Sequence, residues 1–380
     1  MKKLICFLLA LATVFLCFVS TLSANAEQAE NPYAEILFEA ETGQVLYSKN
    51  PDAKLAMASI TKTMSLLLVA EAIESGKMSL DEKVKASTNA SGAEGSVIWL
   101  RAGEEMSAGE LIEAVVVSSA NDACIALAEH LAGSEAAFVK MMNARAKELG
   151  LKNTRYTNCV GYDESGHYST ARDIAVITAK LMKCEVLRSY WLIWLDYLRG
   201  GETQLVNTNK LVRYYNGIIG GKTGTTDGAG YCLTACAERK NMRFVAVALG
   251  CKSDEERFDR CEKLLDFGFD SFQKFTPEQD FSKLLPIKVV RGAKTEIVPI
   301  IEQQGVECII KKGSAQKVEY EYTFVEQVEA PVKKGQFLGE YLVTLDGAAV
   351  FRSDIIAAED VPRMDFWRCL VLIFKEIISM

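Results

Sequence analysis

The spacing of apolar residues changes once along the chain, near Phe275-Thr276-Pro277, and this change constrains the fold most strongly. Before it, apolar stretches with helical spacing alternate with strand-like runs. After it, helical spacing is absent until the tail, and short strand-like segments are separated by glycines. At 380 residues, the chain is also too long for one ordinary domain. We therefore predict one domain over residues 27–275 and a small all-β domain over residues 276–360.

The first domain combines strands at both ends with helices between them. A hairpin is expected where Ala34–Ala40 and Gln44–Ser48 flank a turn. Helices are predicted over Ser59–Ser75, Asn121–His130, Ser134–Leu149, Thr170–Met182 and Ser253–Phe267, the last ending at Gly268. Strands are predicted at Ile218–Lys222, Tyr231–Ala237 and Arg243–Leu249. This order predicts an α+β fold in which one antiparallel sheet is packed by helices.

The second domain and the tail have different patterns. Strands are predicted at Lys288–Val290, Glu296–Val298, Glu307–Ile310, Glu319–Phe324 and Phe337–Thr344. Residues 361–380 form an amphipathic pattern whose longest apolar run, Cys369–Phe374, is too short to span a bilayer. We predict a helix that lies in the membrane interface and anchors the protein, the alternative being a helix packed on a domain face.

The N-terminus has the pattern of a secretory signal peptide. Lys2 and Lys3 precede the apolar run Leu4–Val19, and Ala24-Asn25-Ala26 follows as a cleavage site. The alternative is an uncleaved N-terminal anchor. We expect residues 1–26 to be removed and the protein to act outside the cytoplasm, at the outer face of the membrane or in the cell wall, as a peripheral membrane protein.

Charge and cysteine content exclude some functions. The net charge is −7 and no basic run is present, so nucleic acid is not an expected partner. Of the eleven cysteines, Cys6 and Cys17 lie in the predicted signal peptide, which leaves nine. None has metal-ligand spacing, so no metal is expected. An odd number of thiols in an exported protein indicates either an anaerobic host or small buried apolar side chains.

Three short motifs occur in a fixed order along the first domain. They are Ser59-Ile60-Thr61-Lys62, Ser119-Ala120-Asn121 and Lys222-Thr223-Gly224. Each alone is a weak signal, since Ser-x-x-Lys also occurs at Ser271 and Ser314. Alone, the motifs would be ordinary helix caps and a strand end. The set is specific because each member lies on the element that its chemistry requires.

The first motif fits a serine nucleophile and its base. Ser59 begins a helix, and Lys62 lies one turn later on the same face. A lysine accepts the serine proton only when it is neutral, which requires its pKa to fall from ~10.4 to near 7–8, at a cost of roughly 3–5 kcal/mol. We expect burial in the helix, together with repulsion from Lys222, to lower it.

The other two motifs fit substrate binding and proton relay. Ser119 is expected to pass a proton between Lys62 and the leaving amine, and Asn121 to orient Lys62 and the substrate amide. On the predicted strand, Lys222 and Thr223 would bind a terminal carboxylate, and Gly224 would permit close approach of the backbone. The N–H groups of Thr225 and Ser59 would form the oxyanion hole.

Longer stretches around these motifs resemble a known family. They include Ala58–Thr63, Ser118–Ala123, Gly166–Asp173 and Gly221–Thr226. The set resembles the penicillin-binding proteins and serine β-lactamases, and in particular the low-molecular-mass D-Ala-D-Ala carboxypeptidases of spore-forming bacteria. The resemblance implies a β-lactamase/transpeptidase-like domain followed by a β domain and an anchoring tail. It also implies removal of the terminal D-alanine from peptidoglycan stem pentapeptides through an acyl-enzyme on Ser59, without a cofactor, and inhibition by β-lactams.

Two other functions are compatible with parts of the pattern. A class A β-lactamase shares the three motifs, but it also needs a deacylating Glu in a Glu-x-x-x-Asn loop. No such spacing occurs between the second and third motifs. A catalytically silent, penicillin-binding cell-wall scaffold remains the second alternative.

Overall fold

A computed structural model describes residues 33–367, 369–370 and 374. The predicted signal peptide and most of the predicted tail helix therefore lie outside the described residues. The chain divides into two compact units. One comprises the chain through Leu37, Tyr47–Ala237 and Val245–Leu264, and the other comprises Phe38–Leu46, Glu238–Phe244 and the chain from Leu265 onward. The domain limits 27–275 and 276–360 remain a prediction.

The elements through residue 271 form an α+β arrangement, as the sequence predicts. In chain order they are β1 (Ala34–Glu39), β2 (Val45–Lys49), α1 (Lys62–Glu74), β3 (Lys83–Lys85), α2 (Thr88–Ser91), β4 (Glu105–Ser107), α3 (Ala108–Val117), α4 (Asn121–Ala132), α5 (Glu135–Glu148), α6 (Ala171–Leu181), β5 (Leu195–Leu198), β6 (Thr203–Val206), α7 (Leu211–Tyr214), β7 (Ile218–Thr226), β8 (Gly230–Arg239), β9 (Met242–Cys251) and α8 (Asp254–Ser271). The main sheet has the order β2-β1-β9-β8-β7, so both terminal hairpins join one sheet.

The position of β7 matters most for the site. It lies at the end of the main sheet and pairs with β8 alone, antiparallel, with Thr223 opposite Leu233 and Thr225 opposite Tyr231. The other edge of β7 is therefore open to an added strand among the described residues.

The helices that carry or precede the first two motifs are deeply buried. Helix α1 is apolar nearly all round, and ten of its thirteen residues are buried, including Lys62. Helix α3 begins at a capping box, in which Ser107 accepts from the Glu110 amide and the Glu110 side chain accepts from the Ser107 amide. It ends at Ser118, directly before the second motif, so its end determines where Ser119 lies.

The elements after residue 271 are nearly all strands. They are β10 (Phe272–Phe275), β11 (Ile287–Val290), β12 (Glu296–Ile297), β13 (Pro299–Ile301), β14 (Cys308–Lys311), β15 (Val318–Phe324), β16 (Gln327–Glu329), β17 (Phe337–Leu345) and β18 (Ala348–Ala357). A four-stranded sheet has the order β13-β18-β17-β15, and a three-stranded sheet has the order β12-β11-β16. Two small cores support them, one centred on Tyr341 and one on Leu338. The predicted all-β character is confirmed.

Some element predictions were wrong. Ser59 does not begin an α-helix, because Ala58–Thr61 form a 3₁₀ turn that precedes α1. Gly268 does not end α8, since buried Phe269 continues its apolar face and the helix runs to Ser271. Helix α3 and strand β18 were not predicted at all.

The described residues also show the burial of the cysteines, the grouping of metal-binding side chains and the character of the helices. Eight cysteines, from Cys124 to Cys308, have buried thiols, while Cys369 is exposed. Within the described ranges, no group of His, Cys, Asp and Glu side chains is placed to bind a metal. None of the helices in those ranges combines the length and apolar character needed to cross a membrane.

Candidate active site

Ser59 lies in a strained turn directly before α1. Ala58, the residue before it, has φ of +47°, and Ser119 of the second motif has φ of +64°. Such left-handed backbone is costly for residues other than glycine and is concentrated at functional sites. The strain therefore falls on two of the three motifs that the sequence singles out.

Lys62, the first residue of α1, is fully buried and reaches Ser59. Its Nζ lies 2.8 Å from Ser59 Oγ, 3.5 Å from Ser119 Oγ and 3.1 Å from the carbonyl oxygen of Val160. Burial lowers the pKa of Lys62 to about 8, partly opposed by Cys124, Cys159 and Asp122. A lysine in this state can accept the proton of Ser59 near neutral pH.

The loop that bears Val160 is shaped by Asn158. The Asn158 Oδ1 accepts hydrogen bonds from three successive backbone amides, those of Val160, Gly161 and Tyr162, at 2.7–3.3 Å. Gly161 has φ of +99°, and a Cβ there would come within 1.9 Å of the Ala58 carbonyl oxygen. The loop is thus pressed against the Ser59 turn, which brings the Val160 carbonyl to Lys62.

His167 also joins this loop to the first motif. Its Nδ1 accepts from the Thr157 amide at 3.1 Å, so Nε2 carries the proton and donates to Thr61 Oγ1 at 2.7 Å. Burial lowers the pKa of His167 to about 4, which keeps the ring neutral. Its contacts are structural, since they join the Thr157 amide to the Thr61 hydroxyl.

The second motif lies where α3 ends and α4 begins. Ser119 Oγ lies at the limit of hydrogen-bond distance from Lys62, which suits a proton relay. Asn121 was expected to orient Lys62, but that expectation was wrong for this structure. Its Nδ2 instead donates to the Glu94 carbonyl at 2.6 Å, and the third partner of Lys62 is the Val160 carbonyl.

The third motif lies on β7 against the Ser59 turn. A Cβ on Gly224 would lie 2.9 Å from the Ser59 amide nitrogen and 2.8 Å from the Met57 carbonyl oxygen, so only glycine permits this approach. Because Gly224 packs on the backbone at Ser59, the segment that carries the Thr225 amide lies beside the segment that carries the Ser59 amide. Thr223 Oγ1 donates to Thr208 Oγ1 at 2.7 Å.

The predicted role of Lys222 in binding the carboxylate stays a prediction. Lys222 is 1% exposed, its Nζ donates to the Thr223 carbonyl at 3.1 Å, and it is not among the residues that line the cavity. Burial, followed by repulsion from Lys62 and Arg257, lowers its pKa well below the usual value. Repulsion between the two lysines therefore lowers the pKa of Lys222, whereas burial alone lowers the pKa of Lys62.

A cavity of about 280 Å³ joins the motif residues. Its lining residues are Ser59, Gly95, Ser96, Ser119, Asn121, Val160, Gly161, Tyr162, Thr208, Thr223, Gly224, Thr225, Thr226 and Arg257. A larger cavity of about 680 Å³ occurs in the second unit, but its lining has no serine, cysteine or histidine. Chemistry therefore identifies the smaller cavity as the candidate site.

Arg257 is the functional residue that the sequence analysis missed. It comes from α8, is 7% exposed, and its Nη1 donates to the Thr225 hydroxyl and to the Gly224 carbonyl, both at 3.0 Å. Its Nη2 forms an ion pair with the Asp254 carboxylate. None of the three motifs includes it. The available signal was its position in the helix after the last strand of the main sheet, from which an arginine can bring positive charge to the end of β7.

The arrangement is suited to acyl transfer by serine. It combines a nucleophile with a neutral amine, a second hydroxyl on that amine, an open strand edge, and a cation at the end of the cavity. All eight residues predicted for the site lie in this region. Six line the cavity, and the buried Lys62 and Lys222 contact lining residues.

Comparisons with known proteins agree with this chemistry. Residues 21–253 match the peptidase S11 family model, described as D-alanyl-D-alanine carboxypeptidase, and residues 272–363 match that of the penicillin-binding protein 5 C-terminal domain. The chain is 39% identical to the D-alanyl-D-alanine carboxypeptidase DacF of Bacillus subtilis, over 90% of this chain and 89% of that protein. It is 35% identical to DacC of Escherichia coli, over 94% and 92%. Penicillin-binding protein 5 from Haemophilus influenzae superposes with a TM-score of 0.78 at 30% identity, over 87% of this chain and 97% of that one.

Proposed function

The chain belongs to the peptidase S11 family of D-alanyl-D-alanine carboxypeptidases, and from this membership we propose how its own residues carry out the reaction. It is a serine-type D-Ala-D-Ala carboxypeptidase with a transpeptidase-like fold and a C-terminal all-β domain. The substrate is the stem pentapeptide of peptidoglycan, from which the terminal D-alanine is removed. The observation that carries the residue assignment is the 2.8 Å contact between Ser59 Oγ and a fully buried Lys62.

Acylation begins when neutral Lys62 accepts the proton of Ser59. The Ser59 Oγ attacks the carbonyl carbon of the penultimate D-alanine, and the carbonyl oxygen takes the negative charge. The backbone N–H groups of Ser59 and Thr225 are the proposed donors to that oxygen, and losing one such donor typically costs about 10²–10³ in rate. The packing of Gly224 on the Ser59 turn supports this pairing.

Collapse of the tetrahedral intermediate requires a proton on the leaving amine. Protonated Lys62 supplies it through Ser119, whose hydroxyl touches Lys62 Nζ at 3.5 Å. The C–N bond breaks, free D-alanine departs, and the peptide remains as an ester on Ser59. Water then attacks the ester while Lys62 accepts its proton, and the shortened peptide leaves with Ser59 restored.

Recognition of the substrate terminus is assigned to the end of β7. The hydroxyls of Thr223 and Thr225 line the cavity, and Arg257 lies on Thr225. We propose that these three groups bind the terminal carboxylate, since a guanidinium with hydroxyl donors suits a carboxylate. Lys222, which the sequence also predicts to bind the carboxylate, is buried beside them and donates to the Thr223 carbonyl. Asn121 lines the cavity opposite β7 and is assigned to the substrate amide.

Penicillins and other β-lactams are expected to acylate Ser59. The family is a penicillin-binding one, and a relative from Listeria monocytogenes, penicillin-binding protein D2, was solved in a cefotaxime-bound form. A stable adduct fits the carboxypeptidase. Rapid turnover of the drug would instead indicate the β-lactamase alternative.

The first experiment measures D-alanine release from a muropeptide pentapeptide by the full chain. Ser59→Ala should abolish release. The matched control is Ser91→Ala, which changes a half-buried serine whose hydroxyl donates to the Thr88 carbonyl of its own helix. No release by the folded unmodified protein would contradict the assignment and favour the non-catalytic scaffold. Labelling with fluorescent penicillin, done in parallel, tests the nucleophile directly, and circular dichroism of each variant shows whether it is folded.

We further propose that the protein is exported and attaches peripherally to the outer face of the membrane. The signal-peptide pattern of residues 1–26 and the amphipathic pattern of residues 361–380 support this proposal. Deletion of residues 365–380 should move the protein from the membrane fraction to the soluble fraction and leave D-alanine release intact. Retention in the membrane fraction would contradict the anchor.

A further inference from the structure

The hydroxyl of Tyr162 joins two loops at the active-site cavity. It accepts from the Glu94 amide at 3.0 Å and donates to the Glu94 carbonyl oxygen at 3.1 Å. Tyr162 belongs to the loop that also presents the Val160 carbonyl, whereas Glu94 lies in the loop that continues to Ser96. Burial raises the pKa of Tyr162, so its hydroxyl stays protonated and able to donate.

The same junction includes the side chain of Asn121. Asn121 Nδ2 donates to the Glu94 carbonyl oxygen at 2.6 Å and lies 3.5 Å from the Tyr162 hydroxyl. Gly95 permits this proximity, since a Cβ there would lie 3.1 Å from Asn121 Nδ2. Two donors from two segments of the chain therefore meet at one carbonyl of a third segment.

This geometry determines which end of the Asn121 amide faces which way. The Glu94 carbonyl can only accept, so the group that contacts it must be the NH₂ end. The opposite end, Oδ1, is buried and has no hydrogen-bond partner among the residues that the structure describes. A buried acceptor without a partner costs about 1–3 kcal/mol, a cost that an N–H donor of the substrate would offset. Rotation of the amide would place Oδ1 against the Glu94 carbonyl oxygen, so the contacts at Nδ2 oppose that rotation.

We propose that Tyr162 is a positioning residue that acts through Asn121. Its hydroxyl fixes the Glu94 peptide, and the Glu94 carbonyl in turn keeps the Asn121 amide in one orientation toward the substrate. This inference rests on the proposed function, in which Asn121 binds the substrate amide. Tyr162 also lines the cavity, so a variant that keeps the ring and removes the hydroxyl isolates the role of the hydroxyl.

A double-mutant cycle between Tyr162→Phe and Asn121→Ala tests the inference in the full chain. The Phe variant removes the hydroxyl and keeps the ring. Its kcat/KM for D-alanine release and its second-order rate of acylation by fluorescent penicillin should each fall about tenfold, the value of one hydrogen bond. In the Asn121→Ala background, the same substitution should cost less than about twofold, because the group it positions is gone.

Two controls separate positioning from general destabilisation. Tyr47→Phe removes a hydroxyl that bonds Glu35 at 3.2 Å and lies outside the cavity lining, so its rates should equal those of the unmodified protein. Thermal unfolding is measured for every variant. If Asn121→Ala does not fold, Asn121→Ser, which keeps a polar side chain at the start of α4, replaces it in the cycle.

An equal tenfold loss in both backgrounds overturns the inference, as does an unchanged rate for Tyr162→Phe alone. These outcomes are read from acylation rates, which do not require D-alanine release. A failure of the proposed function is different, since it appears as no D-alanine release from the unmodified protein. The two failures are therefore distinguishable in one set of samples.

Discussion

The pH dependence of acylation is the sharpest test of Lys62 as the base. Burial lowers the pKa of Lys62 to about 8 from an ordinary 10.5. At pH 7, a pKa of 8 leaves ~10% of the amine neutral, whereas the ordinary value would leave ~0.03%. The fold therefore supplies roughly 300 times more active base, equivalent to about 3 kcal/mol.

The measurement is the second-order rate of acylation by fluorescent penicillin between pH 5 and pH 10. Below the inflection, the rate should rise about tenfold per pH unit, because the neutral fraction of Lys62 does so. Above it, the rate should level off. We expect the inflection near pH 8, the value that burial gives Lys62.

The control is His167→Gln, which should keep the same inflection. The pKa of His167 is lowered to about 4, so this ring does not titrate in the range that matters. A rate that is flat between pH 6 and pH 9, or an inflection near the ordinary histidine value, would refute the assignment of Lys62. Circular dichroism across the range confirms that the protein stays folded.

Three further outcomes are expected. Because the pKa of His167 is about 4 in the fold and 6.5 in the unfolded chain, the unfolded state binds more protons between these values, so stability falls as pH drops through that window. Urea unfolding measures the fall in unfolding free energy between pH 7 and pH 4, which should be about 3 kcal/mol smaller in His167→Gln than in the unmodified protein. An equal fall in both proteins would contradict the lowered pKa of His167. Gly161→Ala, whose Cβ would overlap the Ala58 carbonyl, should cost about 3 kcal/mol or more of unfolding free energy, whereas Gly76→Ala, with a similar φ but open space, should cost less. Arg257→Gln should raise KM about 10–100-fold for a peptide with a free terminal carboxylate and leave an amidated peptide unaffected, and equal effects on both would rule out carboxylate binding.

The sequence was sufficient to place the reacting groups because each motif is short and local. Ser59 and Lys62 are three residues apart, so a single helical turn brings their side chains together and no contact with a distant segment is needed. The antiparallel meander from Ile218 to Cys251 was also foreseeable, since its turns and strands are contiguous. The strained turn at Ala58 was not foreseeable, because nothing in the sequence marks a left-handed alanine.

The missed features depend on contacts between distant segments. Arg257 is 198 residues from Ser59 by their numbering, and its guanidinium reaches the site by a hydrogen bond to the Gly224 carbonyl of β7. Helix α3 was missed although Ser107 and Glu110 have the spacing of a capping box, a signal that was available. The partner of Lys62 was assigned to Asn121 instead of Val160, because motif reasoning considers side chains and the true acceptor is main chain.

That last point has a consequence for how this site can diversify. Two acceptors that organise it are the carbonyls of Val160 and Glu94, and a carbonyl is present whatever side chain the residue carries. The side chain at the exposed position 94 can therefore differ between related enzymes while the role of its carbonyl is kept, whereas packing also constrains the buried side chain of Val160. A comparison of side-chain identity would score position 94 as dispensable although its carbonyl holds Asn121.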